Sequence, residues 1–179
     1  MKIFGVCGSP RKNGNAQWAM EQALQAFEAQ GCQTAKLLLS QADIKLCDGS
    51  LPAELAANPI KDDMRQVEQA MIEADILVFA TPTYFDMVTP QMKNFIDRTD
   101  PFYKSLKGKK ALILVVGQAD EDSRMGTVNY LKQYCTIAGI AVEGALTFQA
   151  THKGDLALQP EAAEKIAQQV RAVIRANKP

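Results

Sequence analysis

The chain predicts a three-layer α/β/α domain, with helices on both faces of one five-stranded parallel sheet, and three observations carry that reading. Five short apolar runs alternate with stretches of helical periodicity. The connections between runs have the length of helical crossovers, which parallel strands require and hairpins do not. Across the 179 residues there is no internal repeat and no linker, so the whole of 1–179 reads as one domain.

The first run, Lys2-Ile-Phe-Gly-Val-Cys7, reads as a strand that breaks into a loop rich in Gly, Ser, Pro and Asn. A helix follows from Gln17 to about Gln30, with Met20, Leu24 and Phe27 on one side and Gly31 at its stop. Thr34 to Leu39 reads as the second strand, and its apolar centre suggests cover on both faces. Periodicity disappears between Ser40 and Pro59, where Asp43, Asp48, Gly49, Ser50, Pro52, Asn58 and Pro59 punctuate a long connection with a short helical turn over Ala53 to Ala57. The next helix has Asp62 and Asp63 in its first turn, where the dipole favours them, and buries Met64, Val67 and Met71.

Ile76 to Ala80 is the third strand and runs into a rigid aromatic loop, Thr81-Pro-Thr-Tyr-Phe-Asp-Met87. Pro90 suits the first position of a helix that buries Met92, Phe95 and Ile96. Lys110 to Gly117 is the strongest strand signal, and the polar, acidic residues from Gln118 to Gly126 read as a loop. Val128, Leu131 and Cys135 begin a further helical stripe. Ala141 to Phe148 is the last strand, interrupted by Glu143 and Gly144, which mark a bend or an edge. The final helix starts at Pro160, buries Ala163, Ile166, Ala167, Val170 and Ile174, and frays at Lys178-Pro179.

Twenty basic and twenty acidic residues cancel, with no long run of either sign, which disfavours a nucleic-acid partner. The N-terminal run is too short for a secretory signal, and no stretch has the length of a membrane span. Cysteines at 7, 32, 47 and 135 form no C-x-x-C pair and read as free thiols in a reducing cytoplasm. One histidine and no clustered ligands leave no metal site.

In an open parallel sheet, ligands bind outside the carboxyl ends of the strands where strand order reverses. Three loops leave such ends here: Ser9 to Asn15, Pro82 to Met87, and Gly117 to Gly126. The first has the strand–loop–helix arrangement that aims unpaired N–H groups at an anion. Ser9, Asn13 and Asn15 add polar side chains, and Arg11 adds a charge suited to phosphate. An ordinary strand-to-helix turn would use the same Ser and Asn as caps. Neither G-x-x-x-x-G-K-[ST] nor G-x-G-x-x-G occurs, which removes support for an ATP-type loop and a dinucleotide fingerprint. The second loop offers an aromatic wall, and Gly117 in the third allows close backbone approach. Together the loops suit a flat, phosphate-bearing ring such as flavin mononucleotide (FMN).

Protein nucleophiles are scarce. There is no G-x-S-x-G elbow, and one histidine, His152, does not support a hydrolase triad. Cys7 is followed by Arg11 four residues later, so the C-x-x-x-x-x-R spacing of a cysteine phosphatase fails. Asp62 and Asp63 read more readily as helix-start carboxylates than as an acid–base pair. No side chain is assigned as catalytic, which moves the chemistry onto a cofactor.

Four stretches carry a family resemblance: Gly8-Ser-Pro-Arg-Lys-Asn-Gly-Asn15, Asp62-Asp-Met64, Thr81-Pro-Thr-Tyr-Phe85 and Lys93-Asn-Phe-Ile-Asp-Arg98. In this order they resemble the flavodoxin-like family of NAD(P)H-dependent FMN reductases, nearest to its iron–sulfur flavoprotein branch, over nearly the whole chain. The resemblance implies a flavodoxin-like sheet of order 2-1-3-4-5 with FMN at the switch point. Ser9, Arg11, Asn15, Ala16 and Gln17 would hold the phosphate, Pro82, Thr83, Tyr84 and Phe85 would lie along the isoalloxazine, and Gly117 would stand on its far side. It also implies a homodimer or homotetramer in which a neighbour helps to close the site.

The implied activity is hydride transfer from NAD(P)H to flavin N5, followed by electron delivery to a small acceptor: a quinone, flavin, nitro or azo compound, or metal ion. Relatives with an iron–sulfur cluster have four grouped cysteines before Asp-Asp-Met, whereas only Cys47 stands here, so no cluster is expected. Ala16 replaces the Thr or Ser that relatives often carry. The rival readings are a flavodoxin-like electron carrier, which neutral net charge disfavours, and an FMN-binding protein without NAD(P)H turnover.

Overall fold

A computed structural model describes residues 1–57 and 59–177; Asn58 of the long connection and the expected fray at Lys178-Pro179 lie outside them. The sheet contains β1 (Lys2–Cys7), β2 (Gln33–Leu38), β3 (Ile76–Pro82), β4 (Lys110–Gly117) and β5 (Ala141–Gln149). All neighbours pair parallel, in the order β2-β1-β3-β4-β5. The helices are α1 (Asn15–Glu28), α2 (Pro52–Ala57), α3 (Met64–Glu73), α4 (Pro90–Asp97), α5 (Glu121–Ala138) and α6 (Pro160–Ala176). This is the three-layer flavodoxin-like fold.

Strand periodicity divides the core in two. Ile3, Cys7, Ile76, Val78, Leu112 and Leu114 face α1 and α6, where Met20, Phe27, Ile166 and Val170 cover them. Phe4, Val6, Leu77, Phe79, Ile113 and Val115 face the other layer, with Val67, Met92, Phe95 and Leu131. β3 and β4 have buried side chains on both faces, as their unbroken apolar runs require.

Three expectations need correction. β2 is an edge strand with much of its length exposed, because its apolar residues meet cover on only part of each face. The acidic run after Gln118 is not all loop. Asp120 caps α5 by accepting from the Ser123 N–H at 3.0 Å, and Glu121 and Asp122 occupy the first turn, where acids favour the helix dipole. In α6 the inward stripe is Ala162, Ile166, Val170, Val173 and Ile174, with Ala163 and Ala167 only half-buried.

The interruption at Glu143 and Gly144 has a physical cause. Val142 pairs with Ala111 and Gly144 with Leu112, so Glu143 is the extra residue of a β-bulge in edge strand β5. The Glu143 carbonyl, turned out of the ladder, accepts from Gln169 Nε2 at 3.1 Å.

The long connection is pinned by side chains. The Asp43 N–H donates to Asp63 Oδ2 (2.8 Å), the Lys45 N–H to Asp62 Oδ2 (3.0 Å) and the Cys47 N–H to Asn94 Oδ1 (2.8 Å). Alternate backbone donors are thus satisfied without a neighbouring strand. Asp62 and Asp63 are structural acceptors here, and Arg98 pairs with Asp62, while Asp97 takes Lys93.

Candidate active site

Parallel pairing runs one bond past the strand ends. The Gly8 N–H donates to the Ala80 carbonyl (2.8 Å), Thr83 N–H to Val116 (2.9 Å) and Ala150 N–H to Gly117 (3.0 Å). Four loops therefore leave the sheet from one edge, and between them lies a cleft of about 200 Å³. Its floor lies at the β1–β3–β4 ends, where the order reverses on going from β1 to β3.

The loop after β1 is held tightly. Thr89 Oγ1 donates to the Gly8 carbonyl at 2.6 Å and also caps α4 through the Met92 N–H. A Cβ on Gly8 would meet Met92 Cβ at 2.8 Å, so close approach of α4 demands glycine there. Ser9, itself buried, folds the loop back by accepting from the Arg11 N–H at 3.2 Å. Cys7 lies beneath. Burial pushes its thiol up to about 11, against a backbone hydrogen bond from Ser9 and with Glu21 adding to the rise, so it is a neutral core group.

The start of α1 is unusually bare. Its cap position is Gly14, no side chain caps it, and the first turn holds no acid. The first-turn N–H groups lack intrahelical partners by construction, and the positive end of the dipole is uncompensated within the described residues. A Cβ on Gly14 would sit 3.2 Å from both Ser9 Oγ and the Arg11 carbonyl, so the loop wraps closely around this point. Donor set, charge and close backbone fit an anionic phosphate.

Of the residues singled out from sequence, Ser9, Arg11, Asn15, Ala16, Pro82, Thr83, Tyr84 and Gly117 line the cleft. Three do not. The Asn13 N–H donates to Gln17 Oε1 at 2.7 Å, and Gln17 Nε2 donates to Asn13 Oδ1 at 3.4 Å and to Glu21 Oε1 at 3.1 Å, so both side chains serve the helix start at i,i+4 spacing. Phe85 is fully exposed. It sits with Asp86 at the tip of a two-residue turn closed by reciprocal bonds between Tyr84 and Met87.

Gly117 faces Thr83 so closely that a Cβ there would overlap Thr83 Cγ2. Thr83 Oγ1 accepts from Thr127 Oγ1 at 2.6 Å and donates to the Ser123 carbonyl at 3.3 Å, which ties this wall to α5. The cleft also receives Gln118, Thr151 and Lys153, which no motif marks. Sequence offers one faint signal for the latter pair: they follow the last strand, as loops at the ligand edge do.

Asn15 has a role that its phosphate-loop position does not announce. Its Nδ2 donates to the His152 carbonyl (2.8 Å), and its Oδ1 accepts from Gly154 N–H (3.0 Å) and Leu156 N–H (3.3 Å). The side chain latches the loop after β5; only the backbone N–H is left for an anion. His152 takes part through its backbone, and its N–H also donates to Asp155 Oδ2 at 2.6 Å.

Among the described residues, no group of three or more His, Cys, Asp or Glu is arranged to hold a metal ion, and no helix is long and apolar enough to cross a membrane. Cys7, Cys32 and Cys135 are buried and Cys47 alone is exposed.

Comparison with known proteins agrees with this geometry. The profile of the family described as NADPH-dependent FMN reductase matches residues 1–155. An iron–sulfur flavoprotein of Archaeoglobus fulgidus is 37% identical over 119 residues, covering 65% of this chain and 54% of that protein. The chain thus matches about half the length of that relative. An iron–sulfur flavoprotein of Methanosarcina thermophila is 26% identical over 94% of this chain and 88% of its own. YwqN of Bacillus subtilis, described as a putative NAD(P)H-dependent FMN-containing oxidoreductase, is 26% identical over 87% and 89%. Among solved structures, the apo form of the NADH:FMN oxidoreductase EMOB superposes with a TM-score of 0.77 at 22% identity, over 99% of this chain and 91% of its own, a likeness of fold.

Proposed function

This chain belongs to the NADPH-dependent FMN reductase family, and from that premise we propose that it is an FMN-dependent oxidoreductase taking electrons from NAD(P)H and delivering them to a small acceptor such as a quinone or a flavin. The observation that carries this reading is the bare N-terminus of α1, opening with Arg11 onto a cleft walled by Pro82–Tyr84 and Gly117.

The residues divide the work. The N–H groups of Asn15 and Ala16, with Ser9 and Arg11, hold the phosphate. Pro82, Thr83 and Tyr84, with Gly117 packed directly against Thr83, would form one continuous wall along the ring rather than two facing sides. When bound, FMN supplies the two-electron chemistry, which explains why the cleft needs no nucleophile of its own. The protein orients the ring, supplies backbone donors and leaves one face open for the nicotinamide and then the acceptor.

The whole of 1–179 acts in this reading as one FMN-binding domain of a cytoplasmic homodimer or homotetramer without a nucleic-acid partner. Tyr84, Phe85 and Met87 expose apolar surface at the mouth of the cleft, where a second subunit would cover it. Without the grouped cysteines of the iron–sulfur flavoproteins, electrons leave by a diffusible acceptor.

The test is an anaerobic visible spectrum before and after adding NADH or NADPH. Flavin bands near about 375 and 450 nm that bleach within seconds support the reductase. Bands that persist favour an electron carrier or a binding protein, and absent bands after incubation with FMN overturn the cofactor assignment.

A further inference from the structure

We propose that Lys153 is a second phosphate-holding cation of the cleft, seated there by Asn15; this rests on the FMN reading. Lys153 lines the same cleft as Arg11 and Ser9 but reaches it from the opposite side, on the loop after β5. Neither Lys153 nor Arg11 forms an ion pair among the described residues, whose ion pairs join other groups. Two unpaired cations thus border one cleft, at the end of a helix whose first turn carries no acid. A phosphate monoester brings about −1.5 to −2 charges at neutral pH, more than one guanidinium balances.

A flexible lysine on a free loop would lose much of its binding free energy to ordering. Here the loop is fixed beforehand. The Asn15 amide holds His152, Gly154 and Leu156, one residue on each side of Lys153 among them. Asp155 Oδ2 accepts from Thr151 N–H at 3.0 Å and from His152 N–H at 2.6 Å, and these bonds keep its carboxyl ionised below the ordinary range. Gly154 takes a φ of 92°, which completes the turn. Asn15 is therefore a positioning residue: it presents its own N–H to the anion and sets the backbone that carries the opposing charge.

The test compares FMN with riboflavin, which differ by the phosphate alone. Apo-protein is titrated with each ligand, following flavin fluorescence, for wild type, Lys153→Met, Lys153→Arg and Asn15→Ala. We expect Lys153→Met to weaken FMN about tenfold, with riboflavin unchanged within about twofold and Lys153→Arg near wild type. In Asn15→Ala, adding Lys153→Met should weaken FMN by much less than tenfold, because the lysine is no longer seated. An unchanged FMN-to-riboflavin preference in Lys153→Met overturns the assignment while leaving the FMN reading intact, even if that variant alters the preference for NADPH. Wild-type protein that binds neither flavin, or binds both equally, overturns the FMN reading itself.

Discussion

The Arg98 guanidinium lies 2.6 Å from Asp62 Oδ2, with 7% of the arginine side chain and none of the aspartate side chain exposed. The same Nη1 donates to the Lys45 carbonyl at 2.7 Å, and Asp62 also accepts from the Lys45 and Met64 N–H groups. Two sequence motifs, Asp62-Asp-Met64 and Lys93 to Arg98, thus meet across the fold to anchor residues 43–47. Removing one partner of a buried, hydrogen-bonded pair strands the other. Asp62→Asn should therefore lower unfolding free energy by about 3 kcal/mol in urea denaturation. Exchange at the Asp43, Lys45 and Cys47 amides should quicken well before global unfolding. Unchanged exchange there would show that the pair does not hold the segment.

The same pair sets an acid dependence. Burial disfavours the Asp62 carboxylate, but Arg98 and the two backbone donors outweigh it and hold the pKa below the ordinary value. A depressed folded-state pKa adds stability that is complete above the unfolded value of about 3.9 and disappears as pH falls through the folded one. The stability gap between wild type and Asp62→Asn should be constant from neutrality to about pH 5, then narrow below about pH 4. A gap that widens in acid would mean that the carboxylate is not stabilised as described.

Gly117→Ala should disturb the cleft through Thr83, since the new methyl overlaps Thr83 Cγ2 and the strand backbone cannot retreat. Overpacking of this kind costs about 1–3 kcal/mol. Thr83→Ser removes Cγ2 while keeping the oxygen that joins Ser123 and Thr127. Gly117→Ala alone should weaken FMN, and the double variant should recover most of the loss. Titration of both against wild type checks the coupling; no recovery would show that the alanine methyl meets the ligand rather than Thr83.

Thiol chemistry separates the four cysteines. Burial pushes Cys7 up to about 11 and Cys135 up to about 12, and Cys32 is also buried. At pH 8 the Cys7 and Cys135 thiols are neutral, and all three buried cysteines are shielded from reagent, whereas Cys47 is exposed. One equivalent should react rapidly with a thiol reagent in the native protein and four after denaturation. Cys47→Ser should abolish the rapid phase; if it persists, the fold opens around another cysteine.

Element type was legible wherever one period dominated a stretch. Lys110 to Gly117 reads as a strand without its surroundings, because its apolar run is short, holds β-branched Ile and Val, and is bounded by Lys and Gly. The edge position of β2 was not legible, since an apolar run of this length does not say how much of each face finds cover. At the cleft, the chain-local features were legible as neighbours: Ser9, Arg11 and Ala16 on one loop, Pro82 to Tyr84 on another, and Gly117 all line it. Lys153 was not, because its relation to Arg11 exists only after Asn15 closes a contact 137 residues away in sequence, and no spacing rule encodes that. Gln17 is the converse case, a residue singled out from sequence that does not line the cleft. It opens the helix as a phosphate residue would, yet its side chain faces Asn13 four residues earlier, a pairing that the i,i+4 rule could have flagged.

Phe85 provides a test in which stability and assembly should move in opposite directions. It occupies the first central position of the Tyr84–Met87 turn with φ 49°, followed by Asp86 at φ 63°, the left-handed pair of a type I′ turn. Asparagine and glycine suit that position; phenylalanine is strained there by roughly 1–2 kcal/mol. Its ring is fully exposed and recovers none of this by burial within the chain. Phe85→Gly relieves the strain, and the added freedom of the unfolded chain offsets about 0.5–1 kcal/mol of the gain. Net stability of the isolated chain should rise by about 0.5 kcal/mol in denaturant titrations at low protein concentration. A strained, exposed aromatic beside the cleft fits the proposed subunit contact, so the same variant should shift sedimentation toward smaller species and leave the cleft opener. If Phe85→Gly instead lowers the stability of the isolated chain, the ring packs against its own fold. If assembly is unchanged, the contact between subunits lies elsewhere on the surface.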